Sequence, residues 1–156
     1  MKKVDFIIVG QGIAGTLLAH DLIEAKKSVA IIDAKLKSSS SMVASGLINI
    51  VGMKRCVSTN NAQLYFSKAV SRYKELEQKL DAKFLEIKPI IRLFSNNIVK
   101  HEWHIKFANG DMSRYISNFH EKNTFSLFND NFGSAEVNPA AYLDFKTFLN
   151  FSRKIL

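Results

Sequence analysis

Two short apolar runs flank a glycine-rich turn near the start of the chain. The first run, residues 4–9, is followed by the sequence GQGIAG at residues 10–15, and the second run, residues 29–32, ends at Asp33. Between the turn and the second run, apolar side chains recur three and four positions apart, which is typical of a helix with one buried face. The pattern predicts a strand, a tight turn, a helix and a second strand, which together form a βαβ unit.

Each glycine of this turn meets a separate structural requirement. Gly10 allows the chain to turn sharply off the strand, Gly12 lets backbone approach a diphosphate, and Gly15 packs the helix closely on the sheet. Free N–H groups and the positive end of the helix dipole favour an anion at the start of the helix. Asp33 follows Gly10 by 23 positions, where an acidic side chain reaches a ribose hydroxyl. We therefore predict a dinucleotide site; the alternative is a βαβ unit that keeps its glycines for packing and binds nothing.

The rest of the chain alternates between helical and β-rich patterns. A polar loop at residues 35–41 precedes a helix at 61–80, which carries apolar residues at spacings of three and four. Short β-rich runs follow, and they predict antiparallel strands at 84–87, 90–94 and 103–107. A last strand is expected at 134–137, and Pro139 after it suits the first turn of a closing helix.

Composition and charge narrow the class of protein. The 156 residues, 47% of them hydrophobic, can bury a core, and no stretch approaches the roughly 20 apolar residues that cross a bilayer. Cys56 is the only cysteine, which excludes an intramolecular disulfide, so we expect a cytoplasmic protein. The net charge of +8 is divided equally between residues 1–56 and the remainder, without a basic block. This distribution argues against a nucleic-acid surface.

Residues 5–33 and 41–49 together resemble the FAD-dependent oxidoreductases of the D-amino-acid oxidase and glycine oxidase type. In that family the second stretch is a small-residue loop that lies along the diphosphate and ring of the flavin. Residues 90–95 resemble a strand of the family's substrate domain, and residues 133–139 resemble the strand that returns to the FAD domain. The resemblance implies FAD, in preference to NAD, as the cofactor. The cofactor-binding residues that it implies are Gly10, Gly12, Ile13, Ala14 and Gly15 at the diphosphate, Asp33 at the adenosine ribose, and Ser41, Ser45, Gly46 and Leu47 along the flavin.

The predicted fold class is α/β, with a Rossmann-like FAD/NAD(P)-binding βαβ unit followed by a partial, mainly antiparallel β substrate domain. We place the FAD-binding unit and its flavin-contacting loop at residues 1–56, the partial substrate domain at 57–132, and a strand and helix that return to the FAD domain at 133–156. A doubly wound sheet needs more strands than these, so we expect a truncated architecture. The chain is then a piece of a longer protein, or it completes its sheet with a complementing chain.

The reaction implied for a full-length relative is hydride removal from the carbon beside an amine, with the flavin as acceptor and a small-molecule amine or amino acid as substrate. We interpret this chain as the N-terminal part of such an oxidoreductase, inactive by itself. Its catalytic residues are unknown, and whether it is an enzyme alone is left open. Three alternatives are a non-catalytic dinucleotide-binding module, one half of a split enzyme, and the flavin domain of a tRNA-modifying oxidase.

Other candidate residues point to weaker hypotheses. His101 and His104 flank Trp103 at a spacing of three, and on a strand such a pair points to opposite faces, so we predict no metal site. His20, on the first helix, and His120, in a polar loop, are interpreted as structural or solvated. Cys56 follows two basic residues, which would fit a lowered thiol pKa or a covalent flavin link, although a buried, inert cysteine is commoner.

Overall fold

The computed structural model describes residues 3–34, 39–110 and 112–156. Residues 35–38 of the predicted polar loop lie outside the described residues. The described chain divides into two units. The first unit draws on Met1–Gly46, Glu75–Phe84 and Leu143–Leu156, and the second unit consists of Leu47–Lys74 and Leu85–Tyr142. No helix of the described residues is long and apolar enough to cross a membrane.

The first unit contains the predicted βαβ arrangement. Strand β1 (Phe6–Val9) pairs in parallel with β2 (Val29–Ile32), and helix α1 (Ile13–Glu24) makes the crossover between them. Parallel neighbours require such a crossover, and the apolar spacing of α1 supplies the face that it buries. The βαβ prediction is therefore confirmed. A single-turn helix, α2 (Ser40–Val43), follows in the same unit.

Helix α1 ends without the glycine that commonly closes a helix. Ala25 is the C-cap, and Lys26 adopts a left-handed conformation with φ of 58°. The N–H of Lys26 donates to the carbonyl of Ile23, and the N–H of Lys27 donates to that of Leu22, both at 2.9 Å. These two bonds define a Schellman motif with lysine in the position that glycine usually occupies.

The core of the first unit draws buried residues from α1, from α5 (Phe145–Ile155) and from the end of α3 (Ala62–Leu80), and α5 packs against α1. The rings of Phe84 and Phe148 lie 5.3 Å apart, and Leu149 is fully buried. His20 of α1 is also buried, and its Nε2 lies 3.0 Å from the hydroxyl of Ser152 on α5. His20 is thus a structural residue, as the sequence predicts.

The second unit is built from antiparallel sheets, which confirms the mainly antiparallel prediction. One sheet has the order β3 (Leu47–Asn49), β10 (Ala140–Leu143), β6 (Leu85–Ile87), and another has the order β7 (Ile90–Leu93), β9 (Ser134–Val137), β8 (Ile116–His120). Strands β4 (Val51–Gly52) and β5 (Val57–Ser58) form a separate antiparallel pair. Apolar side chains from these elements, from α3 and from α4 (Asn97–Ala108) form one core, which includes Val51, Phe66, Phe94, Trp103, Ile116 and Val137.

The predicted strand at residues 103–107 is wrong, because those residues lie within α4. Asn96 caps this helix, and its side-chain oxygen accepts from the N–H of Val99 at 2.9 Å. A capping asparagine is also a common turn residue, which explains why the sequence suggests a turn here. Trp103 is buried on the helix face that packs against Phe94, with ring centroids 5.9 Å apart. The aromatic content of this segment therefore serves helix packing.

The predicted helix at Pro139 is also wrong, because β10 intervenes. Strand β9 ends at Val137, Pro139 leads directly into β10, and helix α5 begins only at Phe145. Asp144 is the N-cap, and its carboxylate accepts from the N–H groups of Lys146 and Thr147, each at 3.1 Å. The helix start is thus set by the capping aspartate and not by the proline.

Candidate cofactor site

The glycine-rich turn joins β1 to α1 through a backbone shape that excludes side chains at two positions. Gly10 has a φ of +96°, a conformation that strongly favours glycine, and its N–H donates to the carbonyl of Ile32 at 2.8 Å. A Cβ at Gly15 would lie 2.0 Å from the Gly10 carbonyl oxygen and 3.2 Å from the side chain of Ile8. The first turn of α1 therefore packs closely against the end of β1, as Gly15 in the motif predicts.

Ser41, in the single-turn helix α2, contacts the start of α1. Its hydroxyl oxygen accepts a hydrogen bond from the N–H of Ile13 at 3.1 Å. A Cβ at Gly12 would lie only 2.7 Å from that oxygen, so the absence of a side chain at Gly12 lets the hydroxyl approach. Two segments that the sequence assigns to the cofactor, separated by 28 positions, thus meet at the helix N-terminus.

Asp33 follows the last residue of β2 and is hydrogen-bonded to the glycine-rich turn. Its Oδ2 accepts from the N–H of Gln11 at 2.6 Å, a short bond typical of a charged acceptor. The carboxylate is partly buried, and it lies at the tip of the strand, where the motif places a ribose partner. Asp33 therefore has a structural contact in addition to its predicted role.

These residues border a cavity of about 360 Å³ in the first unit. Its lining includes Val9, Gly10, Gly12, Asp33, Ser39 and Arg153. Backbone of the glycine-rich turn, one carboxylate and one guanidinium thus face a common space. Such a mixture suits a ligand that carries both a diphosphate and ribose hydroxyls, so the residues present fit the adenosine diphosphate half of a dinucleotide.

Arg153 is a functional candidate that the sequence did not indicate. It lies in the last turn of α5, and its Nη2 donates to the carbonyl of Gln11 at 3.2 Å. The glycine-rich turn and Arg153 are 142 positions apart, and no motif links them. Only the packing of α5 against α1 within the first unit brings the guanidinium to the turn, so no local pattern could have found it.

The other predicted cofactor residues lie elsewhere than in the lining of this cavity. Ile13, Ala14 and Gly15 belong to the first turn of α1 behind it, and Ala14 is exposed. Gly46 has a φ of +80°, and its carbonyl accepts from the N–H of Leu143 at 2.8 Å. Ser45 precedes it, and Leu47 begins β3 in the second unit. The predicted flavin-side role of Ser41, Ser45, Gly46 and Leu47 stays a prediction.

Three of the four histidines, His101, His104 and His120, occupy different elements from those predicted. His101 and His104 share one face of α4, because residues three apart are neighbours on a helix. The argument from opposite strand faces is therefore wrong, although the described residues contain no group of three His, Cys, Asp or Glu that could hold a metal ion. His104 stacks on Phe119 with ring centroids 3.9 Å apart, and burial lowers its pKa. His120 ends β8 and is not in a loop.

Cys56 is an inert, buried thiol. Only 1% of its surface is exposed, and it belongs to the core of the second unit. Burial raises its pKa to about 11, and the nearby charge of Lys106 offsets this only in part. The hypothesis of a lowered thiol pKa is therefore wrong. A thiol that stays protonated at neutral pH is a poor nucleophile.

Fold and site together define a protein with a dinucleotide-binding βαβ unit and an attached antiparallel unit. The family model described as the FAD binding domain matches residues 5–87, which is more than half of the chain. The chain belongs to this FAD binding domain family, and the prediction of FAD as its cofactor is confirmed.

Solved flavoenzyme structures share the fold. Glycine oxidase from Bacillus cereus ATCC 14579 matches with a TM-score of 0.70 and 20% identity, over 97% of this chain and 44% of that protein. Iminodiacetate oxidase IdaA from Chelativorans sp. BNC1 matches with a TM-score of 0.68 and 13% identity, over 96% of this chain and 43% of that protein. L-amino acid deaminase from Proteus myxofaciens matches with a TM-score of 0.68 and 15% identity, over 99% of this chain and 37% of that protein.

At these identities the likeness shows a shared fold, and at that level it confirms the resemblance to amino-acid-oxidising flavoenzymes. The chain spans 37–44% of the length of these three structures. No curated protein sequence matches it.

Proposed function

We propose that this chain forms the FAD-binding part of an oxidoreductase that acts on an amine or an amino acid. The observation that carries the proposal is the cavity at the glycine-rich turn, bordered by Gly12 and Asp33, in a member of the FAD binding domain family. The substrate class is supported by the proteins that share the fold, which are named as an oxidase of glycine, an oxidase of iminodiacetate and a deaminase of L-amino acids.

The roles of the residues follow from their positions. The backbone at Gly12 and the first N–H groups of α1 face the place where a diphosphate suits the helix dipole. Asp33 lies at the tip of β2, where its carboxylate accepts from a ribose hydroxyl. Bound FAD supplies the hydride-accepting chemistry, and the protein supplies orientation and electrostatics.

The first experiment measures FAD retention. The purified chain is incubated with FAD, free cofactor is removed by gel filtration, and the visible absorption of the protein fraction is recorded. Retained flavin at a stoichiometric level supports the proposal. A colourless protein fraction that still shows cooperative unfolding would overturn it, because a folded site would then fail to hold the cofactor.

Two substitutions at Asp33 separate its binding role from its structural role. Asp33→Asn keeps an oxygen that can accept from the Gln11 N–H, but it removes the charge that favours a ribose hydroxyl. Asp33→Ala removes both. We expect reduced FAD retention in both variants, with thermal stability lowered mainly in Asp33→Ala. Equal retention in the parent and in a folded Asp33→Ala protein would exclude the ribose role, because alanine offers a ribose hydroxyl no acceptor.

A second candidate function, as one half of a split enzyme, is favoured by an exposed apolar face in the first unit. Ile7 and Val9 alternate onto one face of β1 and are 63% and 82% exposed, and Ile32, paired with Val9, is 59% exposed. Val9 and Ile32 also line the cofactor cavity, so Ile7 marks the part of this face that a partner would cover. A two-stranded sheet is marginal alone, so further polypeptide suits this face. Hydrogen exchange of β1 should slow when the chain is co-expressed with the product of the adjacent downstream reading frame. Unchanged exchange would count against a complementing chain from that source.

A further inference from the structure

We infer that Arg153 binds the diphosphate of the cofactor and acts as a cationic clamp opposite the glycine-rich turn. This inference rests on the proposed FAD site and adds to it a residue from the other end of the chain. Arg153 lines the same cavity as Gly10 and Gly12, and its guanidinium contacts the carbonyl of Gln11 between them at 3.2 Å. The cation therefore lies where a diphosphate would meet the turn.

The hydrogen bonding of Arg153 is incomplete. A guanidinium has five N–H donors, and among the described residues its Nη2 reaches one protein acceptor, the Gln11 carbonyl. Its Nε is buried and has no partner in the described part of the chain. A half-buried cation is costly without an anionic partner, and because this side chain lines the cavity, an anionic ligand there would compensate its charge.

The charge of Arg153 is also available for a ligand. Asp33 lines the same cavity, yet no ion pair within 4 Å joins the two side chains in the described structure. A planar guanidinium matches the oxygens of a phosphate group in a bidentate arrangement, and such charge-assisted bonds are the strong ones. A diphosphate is the part of FAD that carries this charge.

The packing of α5 fixes the backbone position of Arg153 relative to the turn. Phe148 and Leu149 of α5 are fully buried, and the neighbouring Ser152 lies 3.0 Å from His20 of α1. Helix α1 begins at the glycine-rich turn, so the contact that fixes α5 against α1 also fixes the distance from Arg153 to the turn. Pre-organisation of this kind lowers the cost of ordering a long side chain on binding.

The test compares ligands with and without a diphosphate. Calorimetric titrations use FAD, ADP and adenosine against the parent chain and against Arg153→Met, which keeps the apolar stem but removes the charge. We expect the dissociation constants of FAD and ADP to rise about 10- to 100-fold, as for a lost charge-assisted hydrogen bond. The dissociation constant of adenosine should stay unchanged, because adenosine lacks the diphosphate.

The matched control is Lys154→Met, which removes the same charge from the next position. Lys154 is exposed and lies over the ring of Phe151, away from the cavity lining. Its substitution should change ADP binding less than twofold. Arg153→Lys keeps the charge but loses the planar fork, so it should fall between the parent and Arg153→Met. This conservative variant also preserves the test if Arg153→Met fails to fold.

Three outcomes would overturn the inference. Equal ADP affinity in the parent and in either Arg153 variant would show that the guanidinium does not contact the diphosphate. Parallel losses for ADP and adenosine would assign Arg153 a purely structural role at the Gln11 carbonyl. A folded parent that binds neither FAD nor ADP would remove the proposed site itself, and that result is recognised by the parent alone, before any variant is compared.

Discussion

Replacing Gly15 with alanine tests how closely α1 packs against the glycine-rich turn. The added Cβ would lie 2.0 Å from the carbonyl oxygen of Gly10 and 3.2 Å from the side chain of Ile8. The first of these contacts is with backbone, which cannot rotate away as a side chain can. The N–H of the same peptide, that of Gln11, donates to the carboxylate of Asp33 directly after β2, so a shift of this peptide also strains the link between turn and sheet.

The expected magnitude combines two opposing effects. Overpacking a tight site costs about 1–3 kcal/mol, and the backbone obstruction argues for the upper end of that range. Alanine is a better helix former than glycine by about 1 kcal/mol, which offsets part of the cost. We therefore expect Gly15→Ala to lower the free energy of unfolding by roughly 2 kcal/mol.

The assay is urea unfolding followed by circular dichroism, with linear extrapolation to water. Ala14→Gly is the control, since Ala14 is exposed in the same helical turn and its loss reports helix propensity alone, up to about 1 kcal/mol. A Gly15→Ala protein as stable as the parent, beside an Ala14→Gly protein that shows its expected loss, would refute the packing argument.

Three further predictions concern other positions. Lys26→Gly should raise the free energy of unfolding by about 0.5–1 kcal/mol, because glycine accepts the left-handed φ of 58° without strain; an unchanged urea midpoint would contradict this. Asp144→Ala should cost about 1 kcal/mol at neutral pH by removing the cap of α5. Hydrogen bonds from Thr147 hold the pKa of Asp144 below its ordinary value of 3.8. The stabilisation by this cap is therefore complete above pH 3.8 and disappears as the pH falls through the folded pKa. A stability difference between Asp144→Ala and the parent that persists in strong acid would contradict this prediction. Cys56, whose pKa burial raises to about 11, should resist iodoacetamide at neutral pH in the folded chain and react after unfolding in urea; equal rates by mass spectrometry would exclude this.

The sequence predicted an element correctly where the spacing of its own residues was distinctive. The βαβ unit could be predicted because apolar runs, glycines and Asp33 fall at fixed spacings that only one arrangement satisfies. Helix α3 could be predicted from its apolar spacing over five turns. Residues 103–107 misled, because aromatic and β-branched residues suit both a strand and a helix whose face packs on a sheet. The deciding feature, the cap at Asn96, is also an ordinary turn signal.

The site was predictable only for the residues that fall at fixed spacings within one motif. Gly10, Gly12 and Asp33 were found from the motif, and the structure brings them to one cavity. The contact between Ser41 and Ile13 depends on where α2 lies relative to the start of α1, which no spacing rule specifies. Arg153 depends on the packing of α5 against α1, a contact between distant segments whose energy comes from burial and not from any local preference.

The polar contacts at the turn also bear on how strongly a cofactor can bind. The N–H of Gln11 already donates to Asp33, and the N–H of Ile13 already donates to Ser41. A phosphate oxygen that takes over the Ile13 donor must replace the Ser41 hydroxyl, so the gain is the difference between a charged and a neutral acceptor and not a whole hydrogen bond. The guanidinium of Arg153 has one protein acceptor among the described residues, the Gln11 carbonyl, so an anion that binds it exchanges at most one neutral acceptor. On this reasoning we expect the guanidinium to contribute more to the net affinity for a diphosphate than the helix N-terminus that the motif emphasises.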